Sequence, residues 1–214
     1  MQTVIKMLAG VLMMASGLAV AQELADVALS APKMAGGKPL LQVLKERKST
    51  REFAPEALTP QMLSDLLWAA HGINRTDTGK RTAPSAKDEQ EIEVYVVTAE
   101  GVWQHDVKAN GLKAIAKGDF RKLTGKQEFV ATAPLNLVYV ADTTKMKKCT
   151  PEEQAFYSAA DTGFVSQNVY LFCASEGLAT VVRMPSDKPA LAAALKLSDT
   201  TKIILAQTVG YPKK

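Results

Sequence analysis

Cysteine and histidine are scarce, with two of each in 214 residues. Cys173 sits in an apolar stretch and reads as a small core residue, while Cys149 lies in a polar, Lys-rich loop. An exported chain could join them, and the sequence leaves that pairing open. The histidines are His71 and His105, the latter expected on an exposed strand. With no Cys-x-x-Cys and no His-x-x-x-His, a zinc site has little to build on, and no metal ligand is assigned. Neither histidine stands in a nucleophile–base pattern, which argues against a hydrolase. Aromatic residues make up 6% of the chain and do not interleave with a basic stripe. No nucleic-acid partner is expected. The net charge of +4 is mild and says little about partners.

Long hydrophobic runs are also missing, apart from residues 7–20 near the start. That run follows Lys6 and ends at Ala19-Val20-Ala21, a small-x-small cleavage pattern, so residues 1–21 read as a secretory signal peptide. Gly10 and Gly17 interrupt it, and it is short for a permanent membrane span. No cysteine follows it and no paired arginine precedes it, so neither a lipid anchor nor export in the folded state is expected. The expected location is periplasmic or secreted. About 190 residues remain, enough for one domain with a sizeable core. Residues 22–38 read as a loose arm and residues 39–214 as the domain.

Apolar spacing predicts a short helix from Leu40 to about Arg47, then a second from Thr59-Pro60, an N-cap with Pro in the first turn, to Gly72. Residues 93–97 and 102–105 read as strands, residues 112–116 and 128–133 as short helices, and residues 135–140 as a buried strand. A capped start at Thr150-Pro151-Glu152-Glu153 predicts a long helix ending at Glu176, closed by Gly177. It is apolar nearly all round from Phe164 to Ala174, which predicts a buried core helix. A strand at 179–183, a helix at 189–195 and a strand at 202–209 complete the chain. Strands and helices mix without strict alternation. The expected class is α+β, a central, mostly antiparallel sheet flanked by helices.

Three stretches carry the chemistry. Arg47-Lys48-Ser49-Thr50-Arg51 is a dense cationic cluster with a hydroxyl donor. Guanidinium forks and a serine suit a phosphate, although a basic run at a helix end also complements the helix dipole while remaining solvated. Pro84-Ser85-Ala86 reads as a turn before a strand, and Gly163 with Gln167-Asn168 lies inside the long helix. Their order points to a flavin mononucleotide site.

With these segments placed, the chain resembles the nitroreductase family of flavin enzymes, and most of all the branch containing peptide thiazole- and oxazole-forming dehydrogenases. The likeness runs from Leu40 to Pro212. It rests on residues 45–53, Arg81-Thr82-Ala83-Pro84-Ser85-Ala86, residues 93–97, Ala160-Asp161-Thr162-Gly163, Gln167-Asn168, Glu176-Gly177-Leu178-Ala179 and Val209-Gly210-Tyr211-Pro212. The resemblance implies a homodimer with two FMN molecules at the subunit interface. Arg47 and Ser49 match phosphate-contacting positions, Lys48 the position beside phosphate and ribityl, and Arg51 a cationic position near the pyrimidine edge. A cation there would favour the reduced, anionic ring. Pro84, Ser85 and Ala86 match the loop that approaches the ring, with Asp88 where many relatives have Asn.

Three departures stand against a simple transfer. Lys87-Asp88-Glu89 is more charged than the usual run after Pro-Ser. Met184-Pro185 stands where relatives often present a backbone N–H to the flavin, and proline has none, so that bond falls to Met184 or is absent. The given sequence stops at Lys213-Lys214, where many relatives continue into an arm bearing a phosphate-binding cation. Those two lysines either substitute or are solvated. The family chemistry is ping-pong hydride transfer through flavin N5, to or from a small organic or peptide substrate, without an acid–base pair from the protein. An exported copy cannot be assumed to use nicotinamide donors, which are largely cytoplasmic. The competing expectation is a non-catalytic flavin- or ligand-binding protein that kept the fold.

Overall fold

Two caps set the principal helices of the structure, a computed structural model that describes residues 23–214. The leader read at residues 1–21 lies outside the described residues. After the short α1 (Leu40–Glu46), the Thr59 side chain accepts the Met62 N–H at 3.2 Å and Pro60 fills the first turn of α2 (Pro60–His71). Thr150 and Glu153 form a reciprocal capping box that starts α3 (Pro151–Glu176). Gly177, at φ 73°, ends it in a left-handed turn that side-chain-bearing residues adopt only with strain. Asp187 caps α4 (Lys188–Ala194) by accepting the Ala190 N–H.

The strands are β1 (Val27–Ala28), β2 (Ile73–Arg75), β3 (Lys80–Arg81), β4 (Ile92–Val97), β5 (Gly101–Asp106), β6 (Gly111–Lys117), β7 (Leu135–Asp142), β8 (Ala179–Arg183) and β9 (Thr201–Gly210). Seven form one sheet in the order β1-β6-β5-β4-β7-β9-β8, with every neighbouring pair antiparallel. β2 and β3 make a separate hairpin. This is the α+β arrangement expected. β7 lies centrally and is buried along almost its whole length. Leu66 and Leu67 of α2 and Val165, Val169 and Cys173 of α3 pack on one sheet face. Leu191 of α4, with Leu195 just beyond it, packs on the other, against Val138, Val140 and Ile203. Each fully buried aliphatic side chain contributes about 1.5–3 kcal/mol.

Several expectations are corrected. Residues 112–116 are strand, not helix: Leu112, Lys113 and Ala114 pair with His105, Gln104 and Trp103 of β5, and ladder bonding overrides the helix preference of alanine. Only Glu128–Ala131 of the predicted helix at 128–133 forms, as one tight three-ten turn. The arm is not loose. β1 pairs with β6, the Asp26 carboxylate accepts the Ala114 N–H at 2.7 Å, and Trp103 Nε1 donates to the Ala25 carbonyl at 3.0 Å. His105 is buried rather than exposed, because its side of β5 is covered by the end of α2, where its ring lies 5.2 Å from that of His71. Finally, α3 is not buried all round. Phe156 and Phe164 are 69% and 48% exposed on the face turned away from the sheet. No helix among the described residues is long and apolar enough to cross a membrane.

Candidate functional site

The chain leaves α1 at Arg47 in an extended conformation, and successive side chains then serve different surroundings. Lys48, Thr50 and Glu52 line a cavity of about 570 Å³ with Tyr170, Thr180 and Lys213. Arg47 lays its guanidinium 5.3 Å from the centre of the Tyr170 ring, and Ser49 Oγ lies 2.8 Å from the Tyr170 hydroxyl. That hydroxyl also accepts the Val182 N–H at 3.0 Å, while the Thr50 N–H donates to the Thr180 carbonyl at 2.9 Å. The patch is thus pinned to β8 through α3. Because Tyr170 accepts from Val182, its own proton can go to Ser49 Oγ, which frees the serine O–H for an outside acceptor.

Among the described residues, no ion pair engages Arg47, Lys48 or Arg51. The neighbouring carboxylate, Glu46, is taken by Lys38 at 2.7 Å, and that bond, with one from Gln42, holds its carboxyl below the usual range. Arg51 is therefore not neutralised by Glu46. Arg47, Lys48 and Arg51 thus keep their charges without a carboxylate partner beside the exposed Ser49.

Pro84, Ser85 and Asp88 line a second cavity, of about 210 Å³, with His71, Arg75, Lys80, Arg81 and Asp161. Ser85 Oγ accepts the Gln90 N–H at 2.8 Å and donates to Glu91 Oε2 at 3.1 Å. The Ala86 N–H donates to Asp161 Oδ2 at 2.8 Å. Beyond them, Lys87, Asp88 and Gln90 all take positive φ, at 53°, 57° and 50°. Non-glycine residues in that region cost on the order of 1–3 kcal/mol each. Outside bonds hold the loop there: Lys87 Nζ donates to the Lys148 carbonyl at 2.8 Å and to Glu153 at 3.0 Å, and the Lys148 N–H donates to Glu89 at 3.0 Å.

The remaining predicted residues divide. Met184 follows β8 and is 59% exposed, close in sequence to the Tyr170-bound Val182. Gln167 is exposed on α3, whereas Asn168 Nδ2 donates to the Ala70 carbonyl at 3.2 Å and serves helix packing. Both thiols are free, and burial pushes that of Cys173 up. Arg183 is buried under this end of the sheet. Its Nη2 donates to Thr124 at 2.8 Å and Asn136 at 2.6 Å, and burial lowers its pKa to about 10.

Asp161, which holds the Pro84–Ala86 loop, and Tyr170, which holds the basic patch, are nine residues apart on α3, or about 14 Å at helical rise. The order of these segments, on this fold, is decided by comparison with known proteins: residues 44–211 match the nitroreductase family. The chain belongs to that family. Nitroreductases are generally flavin-dependent oxidoreductases. A crystal structure assigned as a nitroreductase from Ralstonia eutropha superposes with a TM-score of 0.84 at 41% identity, covering 88% of this chain and 90% of that one. A protein of Methanocaldococcus jannaschii assigned to the nitroreductases is 33% identical over 66% of this chain and 76% of its own. The fold likeness reaches the branch anticipated from the sequence. The Escherichia coli microcin synthetase McbBCD complex with truncated pro-MccB17 bound gives a TM-score of 0.68 at 18% identity, covering 95% of this chain and 85% of that chain.

Sequence reasoning missed Tyr170, Glu91 and the cationic rim of Arg75 and Lys80, and it gave Asp161 no role. Each acquires its place only through tertiary contact. The one readable signal was Tyr170 within the mostly apolar stretch 169–174 of α3.

Proposed function

We propose that this nitroreductase-family protein is an FMN-dependent oxidoreductase acting as a homodimer. The reading is carried by the Arg47–Ser49–Tyr170–Val182 arrangement, which presents a guanidinium without a carboxylate partner and an exposed serine hydroxyl beside β8. Arg47, Lys48 and Ser49 would hold the phosphate, and Arg51 would lie near the pyrimidine edge. Pro84, Ser85, Ala86 and Asp88 would approach the ring, with Met184 at its far edge. When bound, FMN supplies two-electron hydride chemistry at one exposed face. The chain binds and orients it, keeps water from the ring and places positive charge where the reduced ring is anionic. Donor and acceptor use the same face in turn, which makes the kinetics ping-pong.

A second copy supports the same reading. The two segments are separated along α3, and a homodimer would let one protomer's basic patch and another protomer's loop share a flavin. The outward face of α3 carries Phe156, Gly163 and Phe164, and a Cβ added at Gly163 would meet nothing within 4 Å in its own chain. Leu40 and Leu41 of α1 are 62% and 80% exposed. These are surfaces a partner would cover.

The location is proposed as periplasmic or secreted, from the leader at residues 1–21. The reductant is then a donor other than cytoplasmic NAD(P)H, and the substrate a small organic molecule or peptide. A non-catalytic flavin binder is the second reading, favoured by Pro185, which lacks an N–H, and by the charged, left-handed loop at 87–90. Anaerobic titration of the FMN-reconstituted protein with donors, followed by flavin absorbance, separates the two. Bleaching supports the enzyme, tight binding without bleaching supports the binder, and no uptake of FMN defeats both.

A further inference from the structure

Two buried carboxyls stand behind the Pro84–Ala86 loop, and one of them, Asp161, also accepts the Ala86 N–H at 2.8 Å. Glu91 is 0% exposed and Asp161 2%. Asp161 lines the cavity with Ser85, and Glu91 lies behind them, its Oε2 accepting from Ser85 Oγ at 3.1 Å. Glu91 Oε1 finds no donor among the described residues, and the α3 group that acts on Glu91 is the Asp161 carboxyl, whose Oδ2 accepts the N–H of Ala86, the residue next to Ser85. Two ionised carboxylates do not stay in contact in a buried site, whereas one proton shared between them satisfies the orphan oxygen.

The surroundings leave that proton in place. Arg81 of β3 is the cation that acts on Glu91, but Glu93 and Asp88 draw on it as well. His71 of α2, lining the same cavity, is buried and kept neutral, chiefly by burial. Burial is the largest cause that pushes the Glu91 carboxyl up, and the Asp161 charge adds to it.

The geometry points to Glu91 and Asp161 as a one-proton store that feeds the cavity through the Ser85 hydroxyl. This deepens the proposed function and rests on it. An acceptor that receives a hydride from reduced flavin gains both electrons and is left with an anionic oxygen or nitrogen. The Ser85 O–H rotates toward that atom and gives up its proton. The Glu91–Asp161 pair then reprotonates Ser85, becomes a dianion beside Arg81, and recovers one proton from solvent. The acceptor class is a small quinone, nitro or carbonyl compound whose heteroatom must be protonated. Ser85 touches substrate, and Glu91 and Asp161 act through it.

Two variants test this. Glu91→Gln keeps the side-chain shape and offers an amide N–H to Asp161 but has no proton to release, and Ser85→Ala leaves the pair intact while cutting the relay. Infrared spectra of the flavin-free chain at pH 7 should show a protonated-carboxyl C=O band in the parent and in Ser85→Ala, lost in Glu91→Gln. Anaerobic single-turnover reoxidation of the FMN-loaded chain by para-benzoquinone should slow roughly 10²-fold in both variants, the size of a lost proton-transfer step. Its pH dependence and solvent deuterium effect should flatten in both, with FMN affinity and donor-driven bleaching unchanged in Glu91→Gln. Absence of the band in the parent overturns the shared proton. Parental reoxidation rates and pH profile in Glu91→Gln overturn the relay with flavin function intact. A chain that takes up no FMN overturns the proposed function and the relay together, while the infrared band still decides the shared proton alone.

Discussion

Replacing Arg47 with alanine should weaken FMN binding far more than riboflavin binding. The structure gives Arg47 two jobs, a stack on Tyr170 at 5.3 Å and a guanidinium with no carboxylate partner among the described residues. Losing a charge-assisted bond to phosphate costs about 1.5–3 kcal/mol, or about ten- to a hundredfold in Kd. The stack is worth about 0.5–1 kcal/mol at a half-exposed site and acts whichever flavin is bound. Only FMN carries the phosphate, so the difference between the two ligands isolates the anion contact from general loosening. Quenching of flavin fluorescence on titration gives both constants. Arg47→Lys should fall between parent and alanine, because it keeps charge and loses the fork. Equal weakening of FMN and riboflavin, or no change in either, would show that the phosphate lies elsewhere.

Tyr170→Phe removes the acceptor for the Val182 N–H and the partner of Ser49, at a cost of about 1–3 kcal/mol in stability by thermal melt, together with a measurable loss of FMN affinity. His105 is buried, and burial brings its pKa from 6.5 to about 4. Its folded pKa lies below the unfolded one, so the stability it confers is full above pH 6.5 and is lost as pH falls toward 4. Between pH 6.5 and 5, urea unfolding of the parent should lose about 1.5 kcal/mol relative to His105→Leu, and parallel pH curves for the two proteins would contradict this. Phe164→Glu places a charge on the open face of α3, where a lone protomer should tolerate it within about 0.5 kcal/mol. In solution it should instead yield monomers by light scattering, and an unchanged dimer would move the interface elsewhere.

Much of the fold was legible because its signals are local. Thr59-Pro60, the Thr150–Glu153 box and Gly177 mark helix ends by chemistry carried within a few residues, and the β-branched run of β7 marks a buried strand. Residues 112–116 failed because alanines and a leucine at that spacing fit either element, and only pairing with β5 chooses. His105 failed for the same reason, since nothing local shows that the end of α2 covers β5. In the site, the cationic run and the Pro84–Ala86 loop were visible as motifs. Their separation along α3 was not, nor was the joining of Ser49, Tyr170 and Val182, because sequence order carries no distance. The Glu91–Asp161 contact joins positions 70 apart and has no signature before folding.

Subunit complementation tests the central claim most directly. One variant would carry Arg47→Ala with Ser49→Ala, and the other Ala86→Trp to fill the loop's side of the site. Each alone should bind FMN weakly or not at all. Refolded together, the mixed dimers should regain one site of parental affinity per two chains, since one interface then pairs an intact patch with an intact loop. Mixtures that bind no better than either variant would contradict a flavin held between two copies of this chain.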